Sequence, residues 1–215
     1  MNDKPKGDAK RLPWLTVERL GAVTDGIIAI IVTILVLEIT VPDDHDVGAD
    51  GVIALMRRMS HDIMVYLLSF ALIWAYWLQH HAIFHFIART DRMLVFLNGL
   101  FLFLLSLSPF ATKLASAYRG VGFAESVFGI NLLLSGVMLL AMWRYAVAKK
   151  YLLRKPVTVA VVRSMSRRIM IAPAVILLGL AVSAVDYRAG AIVYFCVPLF
   201  YLKHWLVDTS WQEQE

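Results

Sequence analysis

The sequence predicts an all-α membrane protein with six crossing helices and both ends on the cytoplasmic side. Three observations lead there. First, 60% of the 215 residues are hydrophobic and only 17% are charged, whereas soluble domains sit near half apolar and a quarter charged. Second, the apolar residues come in blocks, at roughly 18–40, 61–87, 92–113, 124–147, 169–186 and 188–207. Each block is close to the ~20 residues that one helical crossing requires. They are too long and too uniformly apolar for barrel strands, and helices satisfy their own backbone groups inside lipid. Third, with the N-terminus inside, sixteen of the 21 lysines and arginines fall on cytoplasmic segments, leaving Arg57, Arg58, Lys113, Arg119 and Arg188 outside. This is the positive-inside pattern.

Taken in order, residues 1–16 are polar, carry Pro5 and Pro13, and read as a cytoplasmic tail; residues 17–208 form the membrane domain, and 209–215 a second cytoplasmic tail. The first block holds Arg19 and Asp25 and runs into Val41-Pro42-Asp43-Asp44 without a small-residue cleavage pattern, so it is read as a retained helix rather than a signal peptide. Asp43, Asp44, Asp46 and Asp50 make the first outer loop acidic. The second block is rich in aromatics: Tyr66, Phe70, Trp74, Tyr76, Trp77, Phe84 and Phe86. In the third, Pro109 is expected to kink the helix or end its regular part. Gly120 and Gly122 break the chain before the fourth. The basic stretch 148–168 is expected to be an inner loop, with a short amphipathic helix along the membrane surface. Asp186-Tyr187-Arg188 makes a tight outer turn before the last block. Cys196, the one cysteine, is expected to be a buried thiol without a disulfide partner. No internal repeat relates the two halves.

The sequence excludes several function classes. It holds no nucleophile elbow, phosphate-binding glycine loop or zinc-protease signature, so no catalytic role and no cofactor are expected. The basic balance follows from topology and anionic membrane lipid, and no nucleic-acid partner is expected. No apolar stretch carries arginine at every third position, which argues against a voltage sensor. A Thr-Val-Gly-Tyr-Gly filter is also absent.

Asp25 is the most unusual residue, since a carboxylate inside a span is costly and is usually paired or functional. Two roles suit it: a cap accepting hydrogen bonds from a neighbouring helix, or direct contact with permeating ions. Ile30, Thr33, Ile34 and Leu37 form one stripe at helical spacing, and Asp25 lies about 140° from Ile30 at 100° per residue. Polar partners are available at Trp77, Gln79, His80, His81 and His85 on the second block and at Asn98 on the third. His81 and His85 share a face, but no cysteine lies nearby and no carboxylate follows Asp62 on that block, so no metal is expected. An ionisable constellation of Asp25 with His80 or His81 leaves a second reading open, a proton-coupled transporter or proton-conducting channel.

The segment Arg19-x-x-x-Val23-Thr24-Asp25-Gly26, with the Ile27–Ile39 run behind it, resembles the first helix of bacterial TMEM175-type potassium channels, whose hallmark is Arg-x-x-x-Phe-Ser-Asp. Tyr66-Leu67-Leu68-Ser69-Phe70, Tyr76-Trp77-Leu78-Gln79-His80-His81, Phe96-Leu97-Asn98 and Ser106-Leu107-Ser108-Pro109-Phe110 continue the likeness through the third block. Later blocks match in hydropathy and in the basic loop before the fifth. The resemblance implies a homotetramer whose first helices line a central pore for potassium in a bacterial plasma membrane. It places the hydrophobic constriction at Ile30, with Ile34, Leu37 and the polar Thr33 also facing the pore. It also ties Arg19, Thr24 and Asp25 to Trp77, His80, His81 and Asn98. Here Val23 stands for the family's phenylalanine, losing an aromatic contact, and Thr24 for its serine, keeping the hydroxyl.

Overall fold

The computed structural model describes residues 15–39, 41 and 49–207. Eight α-helices are described: α1 Val17–Leu37, α2 Ala49–Arg58, α3 Ser60–His85, α4 Arg92–Ser106, α5 Ser108–Ala117, α6 Gly122–Ala148, α7 Val159–Ser183 and α8 Tyr187–Val207. A 3-10 turn, Lys150–Leu152, follows α6. Most of the proposed cytoplasmic tails and the acidic residues Asp43, Asp44 and Asp46 lie outside the described residues.

Among the described residues, five spans are long and apolar enough to cross a membrane: α1, α3, the α4–α5 pair over Arg92–Ala117, α6 and α7. A further apolar helix, α8, follows α7 after a short turn. The chain is therefore an all-helical, multi-pass membrane protein.

Local chemistry sets the element boundaries. Thr16 caps α1, its hydroxyl accepting the Arg19 amide at 3.3 Å, and Asp91 caps α4 by accepting the Leu94 amide at 2.8 Å. Both leave a helix-start donor satisfied. Pro109 falls in the first turn of α5, and the span breaks at Leu107. The break exposes carbonyls that a continuous helix would cover. The Asn131 amide on α6 answers this by donating to the Leu104 carbonyl at 2.8 Å, while Ser108 donates to the Asn131 side-chain oxygen at 3.1 Å.

Two expectations are corrected. Residues 148–168 hold no surface helix. After the 3-10 turn the chain is extended, and α7 already begins at Val159, capped by Thr158. Pro156 disfavours helix just before it, and the cap then starts a 25-residue helix whose first turns carry Arg163, Arg167 and Arg168. Cys196 is exposed, not buried; it sits on the outward face of α8, where a small soft side chain meets lipid at little cost. Between the acidic segment and α3 the structure adds α2, whose ten residues are too few to form an apolar block.

The core runs along α6, which packs on α4, α5 and α7, while α3 joins α1, α5, α6 and α8. Trp143, Tyr76 and Phe101 are among its largest fully buried side chains. Small residues let the helices close up, as membrane packing favours. A Cβ on Gly136 would meet Pro173 Cγ at 2.8 Å, and one on Gly179 would meet the Tyr194 ring at 2.4 Å.

A candidate pore-lining helix and its anchor

The α1 helix has two faces. Val17, Leu20, Thr24, Ile28, Ile31 and Leu35 are buried against α3, α4 and α5. On the other side Ile30 is 59% exposed, Ile34 41% and Leu37 77%. The Thr33 side chain is exposed as well, and its hydroxyl donates back to the Ile30 carbonyl at 2.8 Å. Its donor is thus spent on the helix, and only its oxygen lone pairs remain open.

The buried face is pinned by a polar chain. The Thr24 hydroxyl donates to the Leu20 carbonyl at 3.0 Å and accepts from the Asn98 amide at 2.9 Å. The Asn98 oxygen faces His80 Nε2 at 2.9 Å. Thr24, His80 and Asn98 are all buried, at 2% exposure or less. His80 lies flat between Phe84 and Phe101, with ring centroids 4.0 and 5.6 Å away. One residue on from Thr24, about 100° round the helix, the Trp77 indole donates to the Asp25 carboxylate at 2.8 Å. Asp25 accepts this hydrogen bond from a neighbouring helix while its side chain stays exposed.

The structure brings Thr24, Asp25, Trp77, His80 and Asn98 together as expected. His81 contributes ring contact only, its centroid 5.6 Å from that of Trp77. Arg19 stands apart: its side chain is exposed, and among the described residues its guanidinium joins no bond of this network. Being at the first turn of α1, it is a turn and a half below Thr24.

An open groove of about 570 Å³ runs beside the exposed stripe, between Ile27, Ile30, Ile31 and Ile34 of α1 and Pro109 and Phe110 of α5. Lys113 and Glu38 line it at the C-terminal end of α1. There the Lys113 ammonium donates to the Glu38 main-chain carbonyl at 2.8 Å and lies 4.0 Å from the Glu38 carboxylate. The two residues lie 75 positions apart, and no local sequence pattern pairs them.

A second anchor lies at the basic end of the bundle. Asp91, 3% exposed, accepts from the Tyr145 and Tyr151 hydroxyls, each at 2.6 Å. Beside it, the Thr90 hydroxyl donates to the Leu15 carbonyl at the start of α1. Burial pushes the Asp91 carboxyl up, but the two tyrosine hydroxyls and the Leu94 and Met93 amides outweigh it and hold it below the ordinary carboxylate range. Tyr151 moves the opposite way, raised first by its hydrogen bond to Asp91. Sequence alone showed no link between these residues.

The chain is a membrane-spanning helical bundle, and the proteins it is similar to are ion channels. The fold matches the crystal structure of a lysosomal potassium-selective channel TMEM175 homolog from Chamaesiphon minutus with a TM-score of 0.76 and 28% identity, over 87% of this chain and 97% of that one. A potassium channel of Chamaesiphon minutus is 30% identical over 186 residues, 85% of this chain and 92% of the relative. The human endosomal/lysosomal proton channel TMEM175 is 30% identical over 142 residues, 61% of this chain but 28% of that longer protein. The family described as endosomal/lysosomal potassium channel TMEM175 matches residues 19–109. This chain belongs to the TMEM175 family.

Proposed function

We propose that the chain is a potassium-selective, voltage-insensitive channel of the bacterial plasma membrane, acting as a homotetramer with α1 lining the pore. One observation carries the reading: α1 is fixed on one side by Thr24 and Asp25 and leaves Ile30, Ile34 and Leu37 bare on the other. A bare apolar stripe is covered by lipid or by copies of itself around an axis. Four Ile30 side chains then form a ring that closes by dewetting. The relatives named potassium channels support the ion. Six crossings are supported by α8, whose 21 residues span about 31 Å at 1.5 Å each; they return both termini to the cytoplasm.

Planar-bilayer recording tests this. Ile30→Asn is expected to raise conductance several-fold and to shift the reversal potential under a potassium/sodium gradient toward zero. Unchanged flux and selectivity would remove Ile30 from the constriction.

The second reading, proton conduction through Asp25 and the α3 histidines, is favoured by the animal relatives being named proton channels. It predicts a reversal potential that follows a pH gradient at symmetrical potassium. His80 and Asp25 are already held by Asn98 and Trp77, which favours the first reading.

A further inference from the structure

Between α6 and α7 the chain makes a short, rigid and strongly basic link. It is held to the end of α3 by backbone bonds. The Ala88 amide donates to the Leu152 carbonyl at 2.8 Å and the Arg154 amide to the Phe86 carbonyl at 2.9 Å. An antiparallel bridge joins Ile87 and Leu153. This fixes the backbone beneath Lys150, Arg154 and Lys155. Two recesses of about 290 and 280 Å³ open on either side of the link and share Arg154, Lys155, Pro156 and Val157. The first also reaches His85 and Thr158, the second Lys150.

We infer that this pair of recesses binds the phosphate of an anionic membrane lipid. Three features point to that chemistry. Cationic side chains converge from a fixed backbone, so little order is lost on binding. The start of α7 borders the first recess at Thr158 and Val161, and it has no acidic residue in its first turn; the positive end of a helix favours a phosphate nearby. The remaining walls are apolar, Pro156, Phe86, Leu153 and valines, and Val159 beside them is 75% exposed. A half-apolar, half-cationic recess fits a headgroup still attached to its glycerol and acyl chains better than a free, fully hydrated anion. Basic recesses between spans on the cytoplasmic side hold such headgroups. One carboxylate competes: Glu18, in the first turn of α1, lies within electrostatic reach of Arg154. With Lys150 and Lys155 beside it, the link keeps a positive balance. The inference rests on the orientation proposed above, with this end of the bundle in the cytoplasmic leaflet.

The test uses the full chain in detergent, with bound lipid counted by native mass spectrometry on titration with phosphatidylglycerol or phosphatidylcholine. Phosphatidylglycerol is expected to be retained and phosphatidylcholine to wash off. Arg154→Gln with Lys155→Gln should weaken phosphatidylglycerol retention about tenfold or more. The charge-matched pair Arg163→Gln with Arg167→Gln should leave it nearly unchanged. Equal losses in both pairs, or none in either, would overturn the site. Inorganic phosphate is the third arm: if it binds as tightly as the lipid and depends on the same residues, the recess is a free-anion site and the proposal falls. Should the double variant fail to fold, Lys155→Gln alone carries the comparison. No arm measures ion flux, so loss of the channel reading would show in bilayer recordings and leave the lipid count standing.

Discussion

At the scale of single residues, the anchor of α1 is a set of polar groups whose partners sit on other helices. Asn98 bridges Thr24 and His80 inside the bundle. Asn98→Ala strands the imidazole in an apolar slot and is expected to cost about 1 kcal/mol, read as a lower melting temperature in detergent. Thr24→Val makes the complementary break and should be non-additive with it, because the two remove parts of one chain of bonds. Where the groove reaches the C-terminal end of α1, Lys113 lies beside Glu38 and offsets its charge. Lys113→Gln is expected to raise inward cation conductance at low ionic strength, with the gain fading as salt screens the carboxylate. Conductance measured at two salt concentrations checks this; an increase that salt leaves untouched would point to a steric effect instead.

At the scale of elements, Asp91 combines a helix cap with two tyrosine bonds and so fastens α4, α6 and the 3-10 turn together. Its carboxyl is held below the ordinary range, so its contribution is complete above the unfolded value of about 3.9. It is lost as pH falls through the lower, folded value. Wild type should lose stability in that acid window, and Asp91→Asn should lack that step. At neutral pH, Asp91→Ala should cost at least ~1 kcal/mol for the cap alone. The helix pairs add a packing limit: Gly179→Ala puts a methyl into the Tyr194 ring and should destabilise by about 1–3 kcal/mol. Which of these elements could be read from sequence follows from the physics. Long apolar blocks gave α1, α3, α6 and the α4–α5 break at Pro109, because length and proline act locally. The early start of α7 was hidden because Arg163, Ser164, Ser166, Arg167 and Arg168 cut its first apolar turn off from the long apolar run, and apolar content alone marks only that run. The Thr24–Asn98–His80 chain was foreseen through motif likeness, whereas the Asp91 anchor and the Lys113–Glu38 contact join residues that no local pattern relates.

At the scale of the whole molecule, the uncovered stripe on α1 is the feature that asks for partners. Light scattering with detergent correction is expected to give four copies per particle, and Leu37→Cys should form inter-subunit disulfides under mild oxidation; a monodisperse monomer would remove the shared axis. The backbone bridge between Ile87 and Leu153 has a consequence for motion. It buckles the end of α3 to the strand-like link after α6, so the intervening helices form a closed lasso that cannot splay apart at that end. The bridge leaves α1 outside that loop, so gating by α1 sliding or tilting against the frame, as the proposed pore requires, is expected to survive it. Paired cysteines at 87 and 153 would sit at a separation a disulfide accepts, and a channel stapled there should still open and shut.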